Sequence, residues 1–188
     1  MKNKKSRIVI DSLLIILGIV FLIFGIKDLK SFVSSQKSDI SDAEKFKSEY
    51  QYVNKDNSYK YIDIKELQTI LDGKDEKIIL VGSPLDSWTQ VLVSHLDEYA
   101  KSIKKSIYYL DLDKVDKTSD DYKKILKKIK LDEITTPTVI IKTKSNIELL
   151  KKEELYDSNY TDAPIDYWTE ERVEELRKIL NNKIGELK

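Results

Sequence analysis

The chain has 188 residues, enough for one globular domain with a hydrophobic core and little else. Its 33 basic and 33 acidic side chains cancel, so no net positive field favours nucleic acid as a partner. The sequence contains no cysteine, which excludes thiol–disulfide exchange by this protein alone.

The N-terminal part of the sequence predicts a membrane anchor. Residues 8–26 are apolar except for an Asp-Ser pair and two glycines, and a helix of that length, roughly 28 Å, spans the ~30 Å of bilayer hydrocarbon. Basic side chains crowd residues 1–7, so the positive-inside rule places this end in the cytoplasm. Residues 27–42 are Ser-rich and mixed in charge, which favours a juxtamembrane linker. Residues 43–188 are then predicted to form an extracytoplasmic domain of a single-pass cell-membrane protein.

A cleaved signal peptide is the competing interpretation of the same segment. The uncharged run from Ser12 to Ile26 is close to the length of a signal peptide. Residues 33–35 include the small side chains of a cleavage site, and the mature chain would then begin near Gln36. We expect an uncleaved anchor, because charged residues at 27–30 separate the apolar run from that site.

Helices and strands are predicted to alternate from Ala43 onward. In chain order the predicted elements are a short helix at 43–52, a strand at 59–62, a helix at 64–73 opened by a capping box of Asp63 and Glu66, a strand at 77–81, a helix at 89–103, a strand at 107–112, a helix at 119–129 capped by Ser119, two strands at 138–142 and 147–150, and a helix at 169–183. From the first strand onward the order βαβαβαββα predicts an α/β fold with a mixed central sheet. The alternating elements give parallel strands, the closing hairpin adds antiparallel ones, and helices cover both faces.

One turn in this pattern has a distinctive layout. From Leu80 to Gln90 the sequence reads Leu-Val-Gly-Ser-Pro-Leu-Asp-Ser-Trp-Thr-Gln, so that a buried strand runs into a turn and then into an amphipathic helix. A thioredoxin places Cys-x-x-Cys at the start of such a helix, where the thiol pKa is lowered. Here the four positions hold Asp86, Ser87, Trp88 and Thr89.

The residues from about 43 to 183 resemble the thioredoxin-like superfamily. Within it they are similar to the membrane-anchored or secreted bacteriocin transport accessory proteins of Firmicutes. The resemblance rests on the element order and on four short motifs: Gly82-Ser83-Pro84, the window 86–89, Tyr108-Tyr109-Leu110-Asp111 and Thr135-Thr136-Pro137-Thr138. Those proteins typically carry Gly-x-Pro-x-Cys-x-x-Cys. Gly82 and Pro84 match that pattern, whereas Asp86 and Thr89 replace its cysteines, so the resemblance implies the fold without the redox activity.

The resemblance also assigns a role to Pro137. It implies a cis peptide bond before this proline, a position facing the turn, and a preceding backbone that pairs with an extended client peptide. Two interpretations stay open: the cis bond only shapes the entry to the hairpin, or Thr136 still offers backbone hydrogen bonds to a bound strand. A large ring in an exposed turn is costly unless it is packed or makes a contact. If the turn is still a binding site, we expect Trp88 to be partly exposed beside Thr136 and Pro137.

No catalytic constellation is evident from the sequence. Without cysteine or a second histidine no nucleophile and base can be paired, and we expect no enzyme activity and no cofactor. His95 is expected to be a surface or hydrogen-bonded histidine. The carboxylates of Asp86, Asp111 and Glu76 lack the spacing of metal ligands, so we expect them to be solvated and no metal to be bound.

Two functions are compatible with these features. The first is a membrane-anchored, extracytoplasmic thioredoxin-like protein without redox activity that binds a protein or exported peptide as an accessory module. Its predicted groove is formed by Asp86, Ser87, Trp88, Thr89, Thr136 and Pro137. The alternative is a structural subunit of a membrane complex, recruited through its transmembrane helix and outer surface. Neither function involves nucleic acid.

Overall fold

The computed structural model describes residues 40–157, 159–160 and 164–184. The predicted transmembrane helix at 8–26, its basic flank at 1–7 and nearly all of the predicted linker lie outside the described residues. Among the helices that are described, none has both the length and the hydrophobicity needed to cross a membrane.

The described residues from Ser41 onward form helices that alternate with the strands of one sheet. The elements are α1 (Asp42–Glu49), β1 (Tyr59–Tyr61), α2 (Ile64–Asp72), β2 (Lys77–Gly82), α3 (Ser87–Ser102), β3 (Ile107–Asp111), a 3-10 turn (Leu112–Lys114), α4 (Asp120–Ile129), β4 (Thr138–Lys142), β5 (Ile147–Leu150), α5 (Lys152–Leu155), α6 (Pro164–Tyr167) and α7 (Glu170–Ile184).

The two helix caps predicted from the sequence are confirmed. The Asp63 carboxylate accepts the backbone N–H groups of Lys65 and Glu66, each at 2.8 Å, and the Glu66 carboxylate accepts the N–H of Asp63. The Ser119 hydroxyl accepts the N–H of Tyr122 at 3.2 Å. Side-chain oxygens thus satisfy N–H groups that a helix leaves free at its start, which explains why α2 and α4 begin where they do.

The strands form a mixed sheet in the order β1-β3-β2-β4-β5. Strands β1, β3 and β2 are parallel, whereas β4 runs antiparallel to β2 and to β5. This topology fits the predicted thioredoxin-like α/β fold. The carboxyl end of β2 at Gly82 lies next to Asp111 of β3, and Val81 pairs with Thr138 at the start of β4. We call this end of the sheet the turn edge, and the opposite end, where Lys77 pairs with Lys142, the far edge.

Helices cover both faces of the sheet and enclose a separate core on each. Helices α1, α3 and α7 pack on one face, with Phe46, Leu92 and Leu180 fully buried. Helices α2 and α4 pack on the other through Leu67 and Ile125. Because both faces are covered, β2 and β3 are buried except for one half-buried residue each, and β4 is buried along its whole length.

Three local features differ from the predicted elements. Helix α3 begins at Ser87, two residues before the predicted start, because Asp86 caps it. Helices α5 and α6 follow β5 where no element is predicted. Each has only four residues, too few to show a helical repeat of apolar positions.

Candidate functional site

The candidate site lies at the turn edge, where the loop after β2 meets the loop before β4. Because Val81 pairs with Thr138, the residues that follow β2 and those that precede β4 leave the sheet side by side. The Thr136–Pro137 peptide bond is cis, as the resemblance implies. The fold therefore brings both predicted groups of site residues, 86–89 and 136–137, to the same edge of the sheet.

Asp86 and Thr89, which replace the two cysteines, are bound to each other. Asp86 is the N-cap of α3. Its carboxylate accepts the backbone N–H of Thr89 at 2.9 Å and the hydroxyl of Thr89 at 2.5 Å. Thr89 is fully buried, whereas Ser87 between them is exposed. Both replacement side chains are thus occupied in starting a helix.

Thr89 also explains the glycine at the end of β2. A Cβ atom at Gly82 would lie 2.6 Å from Cγ2 of Thr89 and 3.2 Å from Cε2 of Tyr109. Both distances are shorter than the ~3.5 to 4.0 Å at which carbon atoms attract each other. Gly82 therefore has a steric role, because only a residue without a side chain lets α3 start this close to the sheet.

The loop between β2 and α3 is held by several hydrogen bonds. The Ser83 hydroxyl donates to Asp113 at 2.5 Å and accepts the backbone N–H of Leu85 at 3.0 Å. The side-chain amide of Gln90 donates to the carbonyl oxygens of Pro84 and Glu49, at 2.8 and 2.9 Å. These bonds connect the loop to α1, to α3 and to the 3-10 turn after β3.

Leu85, at the tip of this loop, is 89% exposed. A fixed loop thus presents an isobutyl group to solvent at the edge that also carries Thr136. Leu85 is not among the site residues predicted from the sequence, because the comparison with thioredoxin singles out only the positions of the two cysteines. An apolar residue between Pro84 and Asp86, in a turn where polar residues are usual, could have indicated it.

Trp88 packs against the C-terminal part of the chain. Its half-buried ring lies with its centroid 4.2 Å from that of Tyr156, 5.5 Å from Tyr167 and 6.1 Å from Tyr160. The hydroxyl of Tyr156 donates to the Trp88 carbonyl at 3.1 Å. Trp88 thus ties the first turn of α3 to the segment after β5. An apolar surface shared with Thr136 and Pro137 stays a prediction.

The backbone of Thr136 has no hydrogen-bond partner among the described residues. No hydrogen bond between described residues engages its N–H or its carbonyl oxygen, and its side chain is only half-buried. On either side the chain is fixed, because the Thr138 hydroxyl donates to the Thr135 carbonyl at 2.7 Å and Pro137 is buried. An accessible backbone donor and acceptor held in place can pair with an extended peptide.

The expectation that the carboxylates of Asp86, Asp111 and Glu76 are solvated is wrong, because Asp86 and Glu76 are half-buried and Asp111 is buried. Asp111 is 5% exposed, and its carboxylate lies 2.5 Å from the ammonium group of Lys114. Asp86 is the half-buried cap described above. Glu76 precedes β2 at the far edge, so it is separated from the other two by the length of the strand.

Two buried tyrosines lie beneath the turn edge. The hydroxyl oxygens of Tyr50 and Tyr109 are 2.6 Å apart, and burial raises the pKa of each well above its ordinary value. Both phenols therefore stay neutral at physiological pH and act as a hydrogen-bonded pair in the core. They supply no phenolate nucleophile.

His95 lies on α3 and is half-buried against Trp168, with 4.9 Å between the ring centroids. Burial is the main cause that lowers its pKa below the ordinary value of 6.5, although Glu98 opposes the shift. The ring is therefore mainly neutral at physiological pH.

Across the ranges that the structure describes, no group of three or more His, Asp or Glu side chains is placed to hold a metal ion.

The comparisons with known proteins give a structural likeness only. No family model and no curated protein sequence matches the chain. Among solved structures it is similar to thioredoxin O2 from Arabidopsis thaliana in the oxidised state, at 10% sequence identity and a TM-score of 0.42, over 67% of this chain and 94% of that one. The sheet order and the cis Thr136–Pro137 bond described above by themselves fit a thioredoxin-like fold, in a chain that has no cysteine.

Proposed function

We propose that this chain is a redox-inactive, thioredoxin-like binding module that takes an extended segment of a protein or exported peptide at the turn edge. The observation that carries the proposal is Leu85, 89% exposed on a loop held by hydrogen bonds. Because hydrogen bonds hold the backbone of this loop, the backbone loses little conformational freedom on binding, and the exposed side chain gains apolar burial. The backbone of Thr136, which no other described residue engages, would supply hydrogen bonds to the same ligand.

The proposal involves no catalytic step. Asp86 and Thr89 are bound to each other in the helix cap, and Tyr50 and Tyr109 are paired beneath it. In a thioredoxin the same turn would hold an attacking thiolate, for which the chain has no chemical equivalent. This edge offers a ligand the exposed side chain of Leu85 and the backbone N–H and carbonyl groups of Thr136.

We further propose that residues 8–26 anchor the module in the cell membrane, with residues 1–7 in the cytoplasm and the domain outside. This part rests on the apolar segment and on the basic residues before it. An accessory role in export, of the kind suggested by the resemblance to bacteriocin transport accessory proteins, would make an exported peptide the ligand of the turn edge.

Site-specific photo-cross-linking tests the binding proposal. A photoreactive phenylalanine analogue replaces Leu85 in the full chain, and the control carries it at Ile165, an apolar residue on α6 that is 46% exposed. Irradiation of intact cells should give a discrete adduct from position 85 and none, or a different one, from position 165. No adduct from position 85, or the same adducts from both positions, would contradict the proposal.

The alternative is a structural subunit of a membrane complex. It is favoured by the aromatic packing of Trp88, which uses part of the predicted groove to hold α3 against the C-terminal segment. In that case a partner would copurify from solubilised membranes with a Leu85→Asp variant. It would be lost when residues 8–26 are exchanged for an unrelated transmembrane helix. The binding proposal predicts the opposite result for both variants.

A further inference from the structure

A lysine-rich cavity lies at the far edge of the sheet, away from the turn edge. Its volume is about 490 Å³, and it is bounded by the ends of α2 and α4 and by the β4–β5 hairpin. Asp72 is the only carboxylate among its described lining residues. The lysines that line it are Lys74, Lys128, Lys130, Lys142 and Lys144. Because the chain as a whole carries no net charge, this excess of positive charge is local.

Lys142 is the least exposed of these lysines. It lies on β4 and is 4% exposed, and its ammonium group donates to the carbonyl of Thr143. Among the described residues, no carboxylate forms an ion pair with it. Burial of a charge is costly unless an opposite charge accompanies it, and an anion in the cavity would supply that charge.

The neighbouring helices explain the presence of only some of the lysines that line the cavity. The carboxyl ends of α2 and α4 reach the cavity, and their partial negative charge attracts cations. Lys128 also pairs with Asp72. Lys142 and Lys144 belong to the hairpin, however, and Lys144 is 75% exposed and 3.8 Å from its partner Glu76. The Glu76 side chain is only 15% exposed, but the 3.8 Å separation and the exposure of Lys144 leave its ammonium group open to a second anion.

We propose that this cavity binds an anion that carries more than one phosphate group. Several ammonium groups around one space can donate charge-assisted hydrogen bonds to phosphate oxygens. The volume of about 490 Å³ is within the range of ligand pockets and exceeds the need of a single phosphate. Leu71, Ile129 and Ile147 provide apolar walls for the rest of the ligand. Free polyphosphates and phospholipid headgroups share this chemistry.

Calorimetric titration of the full chain in neutral detergent with inorganic tripolyphosphate tests the proposal. The wild type should bind, and a Lys74→Gln/Lys130→Gln variant should bind at least about tenfold more weakly, since each change removes a charged donor. A Lys142→Met variant keeps a similar volume in the strand and should weaken binding to a similar extent. The control, Lys105→Gln/Lys178→Gln, removes two exposed lysines that do not line the cavity and should bind like the wild type.

A second arm of the titration separates the two sources of phosphate. Short-chain cardiolipin, which carries two phosphate groups and is used as a monomer, is compared with short-chain phosphatidylcholine, which carries one. Binding of tripolyphosphate alone would assign the cavity to a free phosphate ligand, and additional binding of cardiolipin but not of the choline lipid would extend it to headgroups. Absence of binding by the wild type to either anion overturns the proposal. So does an equal loss of affinity in the control variant, which would show a general effect of charge.

Discussion

At the scale of single residues, the turn edge depends on the contact between Gly82 and Thr89. We expect Gly82→Ala to lower the free energy of unfolding by about 2 kcal/mol, because the new Cβ would overlap Cγ2 of Thr89. Thr89→Ser removes that methyl group and should cost about 1 kcal/mol by itself. Because the same methyl group causes the overlap, the double variant should be more stable than Gly82→Ala alone.

Urea denaturation of the two single variants and the double variant measures this coupling. The loss of unfolding free energy in the double variant should be about 2 kcal/mol smaller than the sum of the losses in the two single variants, so that it lies below the loss in Gly82→Ala alone. Strict additivity would mean that the methyl group of Thr89 does not limit the approach of α3 to β2. The hydroxyl of Ser at position 89 still reaches the Asp86 carboxylate, so the helix cap is kept in every variant.

His95 gives a second prediction at this scale. Because burial lowers its pKa in the folded state, the unfolded chain binds a proton more readily than the folded one. The free energy of unfolding should therefore be highest above about pH 6.5 and fall as the pH drops towards the lower pKa of the folded state. His95→Gln should flatten this part of the profile, measured by urea denaturation at a series of pH values. A slope of the same size in the variant would assign the effect to other groups.

At the scale of elements, the aromatic contacts of Trp88 join α3 to the segments that follow β5. We expect Trp88→Ala to lower the free energy of unfolding by about 2 kcal/mol, since its half-buried ring packs on Tyr156 and Tyr167. Leu85→Ser, three residues earlier, should change it by less than about 0.5 kcal/mol, because Leu85 is almost fully exposed. Thermal or urea denaturation separates the two roles. A large loss in Leu85→Ser would show that this side chain stabilises the fold.

The sequence predicted the elements well where a periodic pattern or a cap marks them. The alternation of helices and strands, the caps of α2 and α4 and the antiparallel hairpin are local properties of the chain. The packing of Trp88 was not predictable, because Tyr156 lies 68 residues away and on an irregular segment. The burial of Lys142 was hidden as well, because a lysine at a strand end is usually solvated.

The candidate site was predicted in location but not in detail. The register of β2 and β4 brings residues 86–89 and 136–137 to one edge, which follows from the order of the elements. That Asp86 and Thr89 would bind each other requires the start of α3 at atomic detail. The exposure of Leu85 depends on the loop that Ser83 and Gln90 hold, and turn composition does not specify that path.

At the scale of the whole molecule, the proposed topology has its own test. If residues 8–26 form an uncleaved anchor with residues 1–7 inside, protease added to intact protoplasts should digest the domain and leave a protected N-terminal fragment. Mass spectrometry identifies the fragment. The matched sample is permeabilised before digestion and should lose the fragment's cytoplasmic residues. An intact mature protein that begins near Gln36 would show instead that the segment is a cleaved signal peptide.

Peptide binding at the turn edge is the function that we propose for the whole molecule. The most direct measurement is the affinity of peptides selected by phage display on the full chain, compared among the wild type, Leu85→Ser and Ile165→Ser. We predict that the first change weakens binding at least about tenfold, as expected of an exposed anchor residue, and that the second has no effect. Peptides that bind all three proteins equally, or a selection that enriches none, would contradict the assignment of this edge as a binding site.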